Sequence, residues 1–142
     1  MWTTDYTATT HLAPELVWSA LRKLHTGELS YDGADVFVAH GPFAIGTELS
    51  VTPVGQDTMT STIVELVDNE RYADFTHFGT LSLLFRHTLV RTPEGGTVAT
   101  HRLEIDGEGS DEVAPELGPQ ISGDFDTTMA ALFDQAALLV TR

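Results

Sequence analysis

The stretch that decides the fold is a pair of alternating segments, LSLLFRHTL at residues 81–89 and VATHRLEI at residues 98–105. Successive side chains of a β-strand point to opposite faces of the sheet, so odd-numbered residues share one face of each segment. The odd positions are apolar apart from two histidines, whereas the even positions include arginine, threonine and glutamate. We therefore predict a covered inner face made by Leu81, Leu83, Phe85, His87, Leu89, Ala99, His101, Leu103 and Ile105.

The turn between the two segments sets the distance between the two histidines. A three-residue loop at residues 93–95, Pro-Glu-Gly, suits a type I turn with the glycine in the left-handed conformation, and it places His87 directly opposite His101. The alternative loop at residues 94–96 makes the histidines diagonal neighbours. We favour the first loop, because proline fixes the backbone of the turn.

Length and composition predict one globular domain over residues 1–142, with 42% hydrophobic residues to form a single core. The absence of cysteine excludes disulfides and thiolate chemistry and fits a reducing compartment. The first residues lack the basic and apolar regions of a signal peptide, and no apolar run approaches the ~18 residues that span a bilayer. We expect a soluble, cytoplasmic protein without membrane insertion.

The charge is strongly acidic, with 21 acidic residues against seven basic ones and a formal net charge of −14. Such a surface repels phosphate backbones and anionic membranes, so we expect no binding to nucleic acid. The simplest role of the acidic residues is a solubilising coat, and adaptation to high salt is an alternative. The sequence is also compatible with a homodimer.

Turn-forming residues divide most of the chain into short segments whose connections allow only antiparallel neighbours. A helix begins at Pro14, which the first helical turn tolerates, and Gly27 can end it. A first strand precedes this helix at about residues 3–9. Six further strands are predicted at about residues 34–40, 46–53, 58–67, 71–78, 81–91 and 97–107.

Beyond Gly107 the hydrophobic period changes to that of a long helix at about residues 114–140. Pro119 and Gly123 are expected to delay or kink its first turns. A sheet of six or seven strands curls, and a long helix with one apolar face can cover its concave side. The predicted apolar stripe comprises Ile121, Phe125, Met129, Leu132, Phe133, Ala136 and Val140.

Four segments carry a resemblance to a known superfamily: APELVW at residues 13–18, HGPFAIGT at 40–47, FRH at 85–87 and GTVATHRLEIDG at 96–107. With the order β-α-β6-α, they make the chain similar to START-like or Bet v 1-like (SRPBCC) proteins, in particular bacterial polyketide cyclase/dehydratase-like members. The resemblance implies the α+β helix-grip fold, a curved antiparallel sheet of six to seven strands wrapped around a long C-terminal helix. At residues 27–32 the chain has GELSYD, where relatives often carry a tryptophan-rich segment.

The resemblance also implies a cavity for a small hydrophobic molecule, such as a lipid or a polyketide, between the sheet and the long helix. Three hypotheses follow from it: a binding protein first, then a polyketide aromatase/cyclase or dehydratase, and third a protein-partner module of the hydrolase-activator type. The sequence contains no phosphate loop, nucleotide fingerprint, nucleophile elbow or zinc-protease motif, so we predict no cofactor.

His87 and His101 are the candidate catalytic residues, because neutral imidazole can accept or donate a proton near pH 7. They can equally bind a ligand carbonyl or hydroxyl, or be core histidines bonded to each other or to buried water. A joint metal site would need His77 or a carboxylate as a further ligand, and we predict none.

Residues on the apolar faces of the strands and of the long helix are the candidates for the cavity wall. Three other histidines, His11, His25 and His40, lie near the ends of elements and are expected at the surface. The predicted ligand-binding set is Phe75, His77, Leu83, Phe85, His87, His101, Leu103, Phe125 and Met129.

Overall fold

The computed structural model describes residues 1–140 and contains a seven-stranded antiparallel sheet with helices on one face. The strands lie in the order β1-β7-β6-β5-β4-β3-β2, and their ends differ from the predicted ones by one or two residues at most. The predicted α+β class and antiparallel pairing are confirmed. The strands are β1 (Trp2–Thr10), β2 (Val36–Ala39), β3 (Glu48–Thr52), β4 (Met59–Val67), β5 (Arg71–Phe78), β6 (Leu81–Arg91) and β7 (Thr97–Gly107).

The first helix, α1 (Pro14–Thr26), has the boundaries that its sequence signals indicate. Proline occupies the first turn, and Gly27 ends the helix in the left-handed conformation, with φ of 83° and its N–H donated to the Leu24 carbonyl. The apolar stripe of α1, which includes Val17 and Leu21, is buried in the core.

The C-terminal helix is bent, so that it comprises α2 (Ser110–Ser122) and α3 (Phe125–Val140). It begins earlier than the predicted residue 114. Gly123 lies in the bend, where an added Cβ would meet the Pro119 carbonyl at 2.8 Å, and glycine is also a weak helix former. Val140, predicted on the apolar stripe, is instead exposed. Within residues 1–140, no helix is long and apolar enough to cross a membrane.

The β6–β7 hairpin has the register that the three-residue loop predicts. His87 pairs with His101, Gly95 is left-handed with φ of 88°, and the Thr92 N–H is donated to the Gly96 carbonyl at 3.0 Å. Because the loop length fixes which residues face each other, this short loop brings the two histidines together.

The outer face of the hairpin carries a network of ion pairs. Arg86 is paired with Arg102 across the strands, and Glu104 accepts hydrogen bonds from both guanidinium groups, at 3.1 and 2.8 Å. Glu65 and Asp5 extend the network at its two ends. The like charges of the two arginines are therefore neutralised outside the sheet, which leaves the inner face to apolar side chains and histidine.

Two apolar clusters fill most of the space between the sheet and the helices. One surrounds α1 and α3 and includes Leu21 and Met129, and the other surrounds α2 and includes Leu83 and Phe125. All four of these residues also line a cavity that lies between the clusters.

Candidate functional site

The cavity has a volume of about 510 Å³ and opens between the inner face of the sheet and the three helices. This volume lies in the range of roughly 300–1,000 Å³ that is typical of small-molecule sites. Most of the wall is apolar, with Phe37, Leu83, Phe85, Phe125 and Met129 among its residues. A few polar side chains interrupt it, and they decide what chemistry the cavity offers.

His87 and His101 point into this cavity beside the C-terminal helix, as the alternation of both strands predicts. Their rings stack with centroids 4.0 Å apart and planes 23° apart. The ring of His101 also stacks on Phe125, at 3.9 Å and 19°. Three planar rings thus form one continuous stack that joins the sheet to α3.

Both histidines are neutral at neutral pH. Burial, together with the neighbouring His101 and His25, lowers the pKa of His87 well below its usual value, and burial lowers the pKa of His101 to about 3. Within residues 1–140 neither ring makes a hydrogen bond. No fully buried side-chain nitrogen in this part of the chain lacks a partner, so the unbonded ring nitrogens of His87 and His101 are not fully buried. The ring nitrogens therefore reach the cavity, where a bound molecule or water can meet them.

Phe75 and His77 do not line the cavity, and the prediction that they do is wrong. In β5 the inward positions are the even ones, because Thr76 pairs with the inward residue Leu83 and cross-strand partners share a face. Phe75 and His77 contact each other on the outer face, with ring centroids 4.9 Å apart. His77 is exposed there, so it cannot share a metal ion with His87.

Leu103 is on the predicted inner face but is part of the core rather than of the cavity wall. It is fully buried within the cluster that contains Leu83 and Phe125. Leu83, Phe85, Phe125 and Met129 line the cavity as predicted. Their position makes these four residues candidates for apolar contact with a bound molecule.

His25, predicted at the surface, instead lies in the cavity wall with 9% of its surface exposed. Its Nδ1 donates to the Leu21 carbonyl at 2.8 Å, which leaves Nε2 as an acceptor in the neutral ring. Its ring lies 5.3 Å from that of His87. The available signal is its position four residues after Leu21, which continues the stripe through Val17.

Sequence reasoning also misses a buried group of polar residues on β4 and β5. Tyr72 donates its hydroxyl proton to Asp74 Oδ2 at 2.7 Å, and Thr76 donates to the Ser61 hydroxyl at 3.0 Å. The Ser61 hydroxyl also acts on Asp74, whose pKa it lowers. Asp74, Thr76 and Ser61 line the cavity, and the alternation in β5 does not reveal them, because it assigns the apolar residues rather than the polar ones to the inner face.

Burial controls the protonation of this group. It raises the pKa of the Asp74 carboxyl, although the nearby His25 and the two hydroxyl donors lower it. Burial also raises the pKa of the Tyr72 hydroxyl, so tyrosine remains the donor in this pair. Burial lowers the pKa of His25, and Asp74 opposes that change. The cavity therefore contains a carboxyl group and neutral imidazoles close together, which is a usable set of proton donors and acceptors.

Two exposed acidic residues mark the mouth of the cavity. Asp35 lies in the loop between α1 and β2, and Asp124 lies at the bend between α2 and α3. Tyr31 lines the cavity beside them, and both carboxylates raise the pKa of its hydroxyl, after burial as the main cause. The segment at residues 27–32, which contains Tyr31, leads directly to this mouth.

Solved structures match the chain over almost its whole length, whereas no protein-family model and no curated protein matches it. A truncated norcoclaurine synthase from Thalictrum flavum has 16% identity and a TM-score of 0.73, with 98% of this chain and 92% of that chain covered. Protein NE0264 from Nitrosomonas europaea has 14% identity and a TM-score of 0.71, with 99% and 97% covered.

A third similar structure is Ara h 8.0201, at 17% identity and a TM-score of 0.65, with 94% of this chain and 98% of that chain covered. Sequence identities this low show a shared fold but say nothing about a shared activity. The agreement over nearly the full length nevertheless holds across all three proteins. The chain therefore has the α+β helix-grip fold that these three solved structures share.

Proposed function

We propose that the protein binds a small hydrophobic ligand, such as a lipid or a polyketide, that carries a carbonyl or hydroxyl group. The observation that carries this proposal is the pair of neutral histidines, His87 and His101, which face an apolar cavity without a hydrogen-bond partner in residues 1–140. The apolar wall would hold the body of the ligand, and the imidazoles would bind its polar group.

Hydrogen bonding favours a ligand at this position. When an apolar molecule displaces water from the cavity, a ring nitrogen that gains no new partner costs about 1–3 kcal/mol, and a ligand oxygen bonded to it would remove that penalty. Neutral imidazole has one donor and one acceptor, so it can serve a carbonyl or a hydroxyl. The stack of His101 on Phe125 holds the ring in one orientation, which reduces the entropy lost on binding.

We expect the neutral fluorophore 6-propionyl-2-(dimethylamino)naphthalene to bind saturably, because it combines an apolar ring system with one carbonyl. His87→Phe and His101→Phe should each weaken binding by about threefold to tenfold, since a hydrogen bond contributes roughly 0.5–1.5 kcal/mol. The double variant should lose more than either single variant. Fluorescence titration measures these affinities through the blue shift of the bound probe.

His77→Phe is the matched control, because it makes the same substitution on the outer face of the sheet. Its affinity for the probe should equal that of the unchanged protein. If His87→Phe and His101→Phe leave the affinity unchanged while they lower the melting temperature, the two histidines have a structural role and the proposal is wrong.

A second candidate function is that of an aromatase/cyclase or dehydratase that acts on a polyketide. The observation that favours it is the buried Asp74, which lies in the same cavity as His87 and has a raised pKa where the histidine has a lowered one. Groups whose pKa values are pushed apart by their surroundings are typical of acid–base catalysts. His87 and His101 would then move protons to and from the carbon next to a ketone.

Hydrogen–deuterium exchange distinguishes an enzymatic function from ligand binding alone. In D₂O an active protein should exchange the methylene protons next to the carbonyl of the same probe, because a base removes the proton and a deuteron returns to the enolate carbon. We expect exchange at least about tenfold above buffer, and its loss in the double variant His87→Phe/His101→Phe. Mass spectrometry measures the exchange. Saturable binding with exchange at the buffer rate would contradict the enzymatic function and agree with ligand binding alone.

A further inference from the structure

We propose that the cavity selects ligands with a positively charged amine, whose ammonium group lies between Asp35 and Asp124 while the apolar body lies inside. This inference rests on the proposed ligand-binding function and adds the chemical class of the ligand. Two features support it: the charges around the mouth and the groups that point into the cavity.

The two carboxylates line the same opening of the cavity, and the charge of Asp124 acts on Asp35. Neither side chain makes a hydrogen bond or an ion pair within residues 1–140. The side chain of Asp35 is exposed at the mouth, but its carboxyl is partly desolvated there, and this desolvation, followed by the charge of Asp124, raises its pKa. A cation placed between two like charges at one opening would be attracted by both.

No lysine or arginine of the described chain lines the cavity. Most of the basic residues are already engaged elsewhere: three lie in the ion-pair network on the outer face, one pairs with Glu15, and one lies over the ring of Phe43. Within residues 1–140 no basic side chain lines this mouth, so a positive charge there would come from the bound molecule. These engaged residues are Arg71, Arg86 and Arg102 in the network, Arg91 beside Glu15, and Arg22 over Phe43.

The interior of the cavity independently points to a ligand and opposes an anionic one. His87 and His101 reach the cavity with ring nitrogens that have no partner in residues 1–140, and both rings are uncharged at neutral pH. Asp74 lines the same cavity with only 5% of its surface exposed. A ligand carboxylate would thus meet neutral imidazoles and three acidic side chains, with no cation of the described chain to receive it.

Three matched dansyl sulfonamides test the charge preference. Each carries a five-carbon chain on the sulfonamide nitrogen, and the chain ends in an ammonium group, a methyl group or a carboxylate. At pH 7 and physiological salt we expect the ammonium probe to bind about tenfold more tightly than the methyl probe. The carboxylate probe should bind at least about tenfold more weakly than the methyl probe. Fluorescence titration gives all three affinities.

The double variant Asp35→Asn/Asp124→Asn should reduce the ammonium-to-methyl ratio to about twofold or less, while the uncharged methyl probe still binds saturably. Because the whole chain is acidic, its general field also attracts cations. The control Glu94→Gln/Asp106→Asn removes the same charge at two exposed positions that do not line the cavity. This control should keep the tenfold preference.

The outcomes separate the inference from the function on which it rests. Equal affinities for the ammonium and methyl probes would overturn the inference and leave ligand binding in place. An equal loss of preference in both double variants would also overturn it, because the mouth would then add nothing to the general field. If none of the three probes binds, the inference and the proposed function both fail.

Discussion

Replacing His101 with phenylalanine is expected to make the protein markedly less sensitive to acid between pH 7 and pH 5. The histidine is partly buried and desolvation lowers its pKa to about 3, whereas a histidine in the unfolded chain titrates at about 6.5. The unfolded state therefore takes up a proton in this range and the folded state does not. Phenylalanine removes that difference and keeps the stack on Phe125.

The direction of the stability change with pH follows from whether the folded or the unfolded state binds more protons. A group whose pKa is lowered on folding stabilises the protein above its unfolded pKa, and that stability is lost as the pH falls from about 6.5 towards the folded pKa. For a single histidine that stays neutral when folded, the loss between pH 7 and pH 5 is about 2 kcal/mol. His25 and His87 have lowered pKa values as well, so the unchanged protein should lose more than this amount.

Urea unfolding at pH 7, 6 and 5 measures the effect. We expect His101→Phe to match or exceed the stability of the unchanged protein at pH 7, because no protein partner of the histidine is lost. At pH 5 the variant should be more stable by about 2 kcal/mol. The control His77→Phe should follow the unchanged protein at every pH. A His101→Phe curve parallel to that of the unchanged protein would show that His101 is protonated in the folded state.

The fold was predictable because several independent patterns agree on it. The alternation in β6 and β7 fixes the faces of both strands, and the Pro-Glu-Gly loop fixes their register. Moving either histidine outward would have buried Arg86 or Arg102, which burial penalties strongly disfavour. The placement of His87 and His101 in the interior therefore followed from the sequence without reference to a relative.

The site was only partly predictable, because cavity-facing positions need not look apolar. In β5 the inward positions hold Tyr72, Asp74 and Thr76, and the outward ones include Phe75. Apolar parity alone assigns this strand to the wrong face, because its inward polar residues are satisfied by hydrogen bonds, one within β5 from Tyr72 to Asp74 and one from Thr76 to Ser61 of β4. Ser61 is distant in sequence, and the alternation of one strand contains no information about such a partner.

Removing the Tyr72 hydroxyl is the second change for which we expect a large effect. The hydroxyl donates to Asp74 at 2.7 Å in a part of the core where tyrosine is fully buried. Hydrogen bonds to a charged group contribute about 1.5–3 kcal/mol, against roughly 0.5–1.5 kcal/mol for neutral pairs. Tyr72→Phe should therefore lower the stability by about 2 kcal/mol when Asp74 is ionised, and by less when it is protonated.

The pH dependence of this loss has a definite direction. Burial raises the pKa of the Asp74 carboxyl, so the stability that Asp74 contributes is present at low pH and is lost as the pH rises towards its folded pKa. The Tyr72 hydroxyl lowers that pKa and limits the loss. The destabilisation by Tyr72→Phe should accordingly increase from pH 5 to pH 8. The stability that the histidines contribute has the opposite pH dependence, because it is lost as the pH falls.

A double-mutant cycle with Asp74→Asn isolates this interaction, because asparagine still accepts a hydrogen bond but has no charge. Urea unfolding of the four proteins should give a coupling energy of about 1 kcal/mol at pH 8 and a smaller one at pH 5. Tyr6→Phe is the matched control, since the Tyr6 hydroxyl makes no hydrogen bond within residues 1–140.

Equal losses from Tyr72→Phe with Asp74 present and in the Asp74→Asn background would contradict an ionised carboxylate at this position. The hydroxyl would then lose the same neutral hydrogen bond in both backgrounds, and the coupling energy would be close to zero.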